Sequence, residues 1–185
     1  MIRLRFLLAA MLVLCACRPA ASNLPEYGEV PDFQLTDQNG HPFSGRSLAG
    51  KVWVADFFFS NCMGPCPRMT SRLHSVQEAT KSLPGVEFAS FTVDPANDTP
   101  AVLASYSKEH AASDRWKFLT GPQATLHNLC RYVFKLGNVD GSLTHSTKFV
   151  LIDRRMQIRG YYDSFDPDSI QQLESDIKAL EREHT

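Results

Sequence analysis

Cys62 and Cys66, in the stretch Phe57-Phe-Phe-Ser-Asn-Cys62-Met-Gly-Pro-Cys66-Pro67, are the residues whose type and spacing most directly imply chemistry. Two thiolates four positions apart can close a disulfide or chelate one soft metal ion. The three residues between them make a wider loop than a C-x-x-C redox motif, which leaves room for an ion. The pair stands where an apolar run gives way to a helical pattern. Cys66 is therefore expected near a helix N-terminus, where unpaired N–H groups stabilise a thiolate and lower its pKa. A structural disulfide is the competing reading, although such a staple usually joins elements distant in sequence.

Other side chains with chemical potential have blander settings. Met63 offers a soft thioether but lies inside the tight cysteine loop. Asp94 and Asp98 flank Pro95 and Thr99 as turn and capping groups. Cys130 falls late in a helical pattern and reads as a buried thiol. Trp53, Phe57, Phe58 and Phe59 read as core. Of the six histidines, His41, His74, His110, His127 and His184 carry no motif context.

The elements that must position the cysteines follow from periodicity and punctuation. Pro31 to Gly40 alternates and ends in Asn39-Gly40, a hairpin signal. Val52 to Phe59 is the apolar, β-prone pattern of a central buried strand. After Pro67, Met69, Leu73, Val76 and Gln77 recur at helical spacing, with an end at Leu83-Pro84-Gly85. Val86 to Val93 is a second strand. Thr99 caps a helix with Pro100 in its first position, running to about His110. Trp116 to Leu119 is a short strand, and Pro122 starts a helix through Tyr132. Thr147 to Ile152 and Gln157 to Tyr162 are strands split by a turn at Asp153-Arg154. Asp166-Pro167 opens a final helix with Ile170, Leu173, Ile177 and Leu180 as its apolar stripe. Strands alternating with helices predict one α/β domain with a mixed sheet covered on both faces.

The 185 residues, 43% hydrophobic and 21% charged, suit one globular domain and exclude a disordered chain. A formal net charge of −1 excludes a basic field for nucleic acid. The N-terminus is different in kind. Arg3 and Arg5 precede the apolar run Phe6 to Ala16, which reads as a secretory signal and is too short to span a bilayer. Its end, Leu14-Cys15-Ala16-Cys17, resembles the lipobox of bacterial lipoproteins, which implies cleavage after residue 16 and a lipidated Cys17. Losing Arg3 and Arg5 leaves 17 basic against 20 acidic side chains, a net charge of −3. The expected division is a signal peptide over 1–16, a tether over 17–29 and a folded domain over 30–185, held extracytoplasmically at a membrane.

Three segments together carry a family resemblance: Cys62-Met-Gly-Pro-Cys66-Pro67, then Thr92-Val-Asp-Pro-Ala-Asn-Asp-Thr-Pro100, then Thr144-His-Ser-Thr-Lys-Phe-Val-Leu-Ile-Asp153. The chain resembles the Sco/SenC family, thioredoxin-like copper proteins connected with cytochrome c oxidase assembly, over roughly residues 29–180. The resemblance implies a thioredoxin-like fold with an N-terminal β-hairpin. It implies a site for copper, Cu(I) or Cu(II), made by Cys62, Cys66 and His145. Thiolates favour Cu(I), and an imidazole makes Cu(II) tolerable. The implied partners are the copper-receiving subunit of cytochrome c oxidase or a similar acceptor, a copper donor and a thiol reductant. The same redox-active dithiol could reduce a partner's disulfide, so a thioredoxin-type thiol–disulfide oxidoreductase is the enzymatic alternative. Against that alternative, no proline occurs between Pro122 and Pro167, and His145 occupies the place where a thioredoxin carries its proline. Family members often carry an acidic residue in or just after the cysteine motif, where this chain has Met63-Gly64-Pro65 and Arg68. Arg68 is expected to favour the anionic dithiol.

Overall fold

The structure, a computed structural model, describes residues 23–137 and 146–183. The stretch expected as a signal peptide (1–16), Cys17 and His145 lie outside the described residues. The centre is β3 (Val52–Phe58), buried along its whole length. It pairs in parallel with β4 (Val86–Thr92), which pairs in parallel with β5 (Trp116–Thr120). On its other side β3 meets β6 (Lys148–Ile152) antiparallel, followed by β7 (Ile158–Asp163). The hairpin expected at Asn39-Gly40 is β1 (Gln34–Asp37) with β2 (Pro42–Ser44), and it completes a seven-stranded mixed sheet in the order β2-β1-β5-β4-β3-β6-β7.

The alternation of β3 divides the core between two faces. Val52, Val54 and Phe58 pack with α1 (Cys66–Ala79), α2 (Pro100–Glu109) and α4 (Pro167–Arg182). Trp53, Ala55 and Phe57 pack with the hairpin and α3 (Gln123–Asn128). The helix expected to run to Tyr132 instead changes to a wider π turn at Leu129–Val133. This turn brings Phe134 against Trp53, Phe57 and Phe91 while Leu129 and Cys130 stay buried.

The stretch read as the end of a tether is laid along β7 from Leu24 onward. Arg159 donates to the carbonyls of Leu24 (2.8 Å) and Pro25 (3.1 Å), and Tyr27 N–H donates to Ile158 O at 2.9 Å. Glu29 bridges Gln157. Backbone groups and one arginine make these contacts, so no side-chain period signals them. Arg159 is itself buried in an ion pair with Asp153 at 2.8 Å.

Candidate metal centre

Cys62 and Cys66 stand at the exit of β3, and both are buried thiols outside any disulfide. Their side chains are hydrogen-bonded to one another. The loop between them turns outward: Met63 is 98% exposed, and a Cβ added to Gly64 would come within 3.9 Å of the Cys62 sulfur. The pair is thus a shallowly covered dithiol whose two sulfurs already face each other, close enough to bind one ion or form one disulfide.

Helix α1 begins at Cys66 itself, with Pro67 in its first turn. The expected lowering of the Cys66 pKa is not what the structure shows. Burial pushes this thiol above its ordinary value, and the Cys62 thiol and the charge of Asp56 push in the same direction. A backbone hydrogen bond from Phe59 opposes them and is outweighed. The helix end is a weaker donor here because Pro67, in its first turn, lacks an N–H. Arg68 places its guanidinium over the Phe165 ring, 4.5 Å from the centroid, and is not among the groups acting on Cys66.

Two aspartates support the dithiol that sequence reading left aside or treated only as turn formers. Asp56, on the same face of β3 as Phe58, is fully buried and accepts from Ser90 Oγ at 2.5 Å. Trp116 Nε1 donates in turn to Ser90 Oγ at 2.8 Å. Burial raises the Asp56 pKa to about 7 despite the Ser90 hydrogen bond. Its signal was an acid inside the apolar run Val52 to Phe59. Asp98 is also buried and accepts from Ser60 N–H, Ser60 Oγ and Thr92 Oγ1. It thereby ties the loop leading to Cys62 to the end of β4. Asp94 is held by Asn97 Nδ2 at 2.8 Å and its N–H donates to Thr92 Oγ1, in the turn role expected of it. Replacing Asp98 with Ala leaves three donors unmatched, and the expected loss is about 3 kcal/mol of folding stability, measured by denaturant unfolding.

Cys130 is buried, 64 residues along the chain from Cys66, and burial alone raises its pKa to about 12, as suits an inert core thiol. Among the described residues, no three His, Cys, Asp or Glu side chains are grouped as a metal site. The topology nevertheless defines where the segment before β6 returns. Val150 pairs with Ala55 and Leu151 with Val54, so β6 starts at the cysteine end of β3. Continuing that register sets Thr147 beside Phe58. His145, two residues earlier, lies outside the described residues.

The SCO1/SenC family model matches residues 22–181. The chain belongs to the SCO1/SenC family. A SCO1/SenC family lipoprotein from Bacillus anthracis is 31% identical, with a TM-score of 0.74 over 87% of this chain and 99% of that one. BsSco, described as a member of the Sco family of cytochrome c oxidase assembly proteins with a disulfide switch, is 30% identical, with a TM-score of 0.74 over 87% of this chain and 97% of that one. ScoI of Bradyrhizobium japonicum, solved with copper bound, is 25% identical, with a TM-score of 0.68 over 83% of this chain and 99% of that one. The seven-stranded mixed sheet and its helices are accordingly the thioredoxin-like fold of Sco proteins.

Proposed function

We propose that this SCO1/SenC protein is a copper metallochaperone that serves cytochrome c oxidase assembly, carrying copper as cargo on Cys62, Cys66 and His145. The observation that carries the reading is the pair of reduced, mutually hydrogen-bonded thiols at the exit of β3. The start of β6 at that same end of the sheet supports an imidazole from His145 as the third donor. Two soft sulfurs with one imidazole suit Cu(I) and tolerate Cu(II). The copper-bound ScoI and the assembly role stated for BsSco support the cargo and the client.

The lipobox-like Leu14-Cys15-Ala16-Cys17 and the lipoprotein among the structural relatives support cleavage after residue 16, lipid on Cys17 and residence at an extracytoplasmic membrane face. Among the described residues, no helix is long and apolar enough to cross a membrane. With Leu24 docked on β7, six residues separate Cys17 from the folded body. At about 3.4 Å per extended residue, that leash spans roughly 20 Å and would hold the domain close to a membrane-bound acceptor.

A second reading, thiol–disulfide reduction of the client's cysteines, draws on the same contact between the reduced thiols and on the disulfide switch of BsSco. In that step the Cys62–Cys66 disulfide forms, the client disulfide breaks, and two electrons and two protons pass to the client sulfurs.

Anaerobic titration of reduced residues 23–185 with Cu(I) tests the first reading. One tightly bound ion is expected, with the His145→Ala variant weakened but still binding through two thiolates. Absence of binding, or binding indifferent to His145, would turn the assignment toward the reductase, whose reduction potential would then be measured.

A further inference from the structure

Helix α1 presents Arg68 and Arg72 on its exposed side, one turn apart and directly after Cys66. With Pro67, Ser71, Ser75 and Phe165 they line an open groove of about 370 Å³. Stacking on Phe165 orders the Arg68 guanidinium while its side chain remains exposed. Among the described residues, no carboxylate oxygen lies within 4.0 Å of either guanidinium, since every ion pair is made by other cations. The acids near Phe165 are engaged locally: Asp163 accepts the Phe165 N–H at 2.9 Å, and Asp166 caps α4 by accepting the Asp168 N–H at 3.1 Å. Asp168 stands exposed in the first turn of α4. On a chain whose net charge is −1, two adjacent cations without a counter-charge among the described residues are a local feature and not a consequence of composition.

We propose that the Arg68–Arg72 groove docks an acidic polypeptide face of the protein that exchanges copper with Cys62 and Cys66. The inference rests on the copper-chaperone reading and specifies the chemistry of its partner. Two guanidiniums one helical turn apart match two carboxylates of a folded surface, and the open groove has no enclosed cradle for a small free anion. Opposite charge at such a groove raises the encounter rate and orients the partner over the adjacent dithiol.

The test uses the full-length chain in neutral detergent, reduced and loaded with one equivalent of Cu(I). Excess synthetic Cys-x-x-x-Cys peptide is then added, flanked either by Glu and Asp or by Ser and Gln. At low ionic strength, transfer to the acidic peptide is expected to be roughly 10-fold faster. That advantage should vanish at about 0.5 M salt and in the R68S/R72S variant, which should load copper normally. Equal rates to both peptides in the unsubstituted chain would overturn the inference, as would an acidic preference that survives in R68S/R72S. Arginine-dependent binding to phosphatidylglycerol vesicles without any peptide preference would overturn it in favour of a lipid. Failure to load copper, read before peptide is added, would overturn the copper reading and the inference with it.

Discussion

Substituting serine for Cys66 is expected to weaken Cu(I) binding by roughly 1,000-fold or more, because one thiolate of a two-sulfur site is replaced by a hard hydroxyl that stays protonated. Cys62→Ser should behave alike, since neither sulfur has a substitute among the described residues. Met63 offers only a weak thioether, and it points into solvent. Serine is nearly isosteric with cysteine, so the buried first turn of α1 should survive, and an unchanged circular dichroism spectrum would establish that. The measurement is competition with a chromophoric Cu(I) chelator under argon. Tight stoichiometric copper in either variant would remove the dithiol from the site. His145→Ala should fall between these variants and the unsubstituted protein.

The second large effect concerns pH and Asp56. Its carboxyl titrates at about 7 in the folded protein against an ordinary value of 3.8, because burial disfavours the charged form. The folded state therefore holds this proton more tightly than the unfolded state does. Its contribution to stability is greatest below about pH 4 and declines as pH rises toward 7. At about 1.36 kcal/mol per pH unit, falling to half that slope at pH 7, the decline between pH 5 and pH 7 is about 2.3 kcal/mol. An Asp56→Asn variant lacks this titration. Its stability relative to the unsubstituted protein should consequently rise by about 2–3 kcal/mol between pH 5 and pH 8, measured by urea unfolding at both values. An unchanged difference would mean that Asp56 is already ionised in the folded protein at pH 5. Because the charge of Asp56 also opposes a thiolate at Cys66, the same variant should lower the Cys66 pKa.

Much of this molecule was legible from local pattern. The β-prone, mostly apolar run of β3, the Thr99 and Asp166 caps, the Asn39-Gly40 turn and the stripe of α4 each reflect a preference satisfied within a few residues, and each forms as expected. The order of three short motifs was enough to indicate the SCO1/SenC family, and the strand-to-helix placement of Cys62 and Cys66 followed from the patterns on either side.

Properties set by distant neighbours required the tertiary structure. Helix-end electrostatics argued for an acidic Cys66, but the depth of burial beneath the loop and the nearness of Asp56 reverse the direction. Asp98 holds Ser60 across a separation of 38 residues, and no local rule connects them. The run from Leu24 to Val30 shows no period because its backbone finds partners on β7 and on Arg159, more than 120 residues away. Arg68 looked like a regulator of the thiols when only its position in the chain was known. The fold draws it to Phe165 and leaves it with Arg72 on an open face. Residue type and spacing thus determined which chemistry this protein could perform, because strands, caps and thiol pairs depend on near neighbours. Only the packed structure decided the protonation, support and access of that chemistry, because burial and charge act through space and not along the chain.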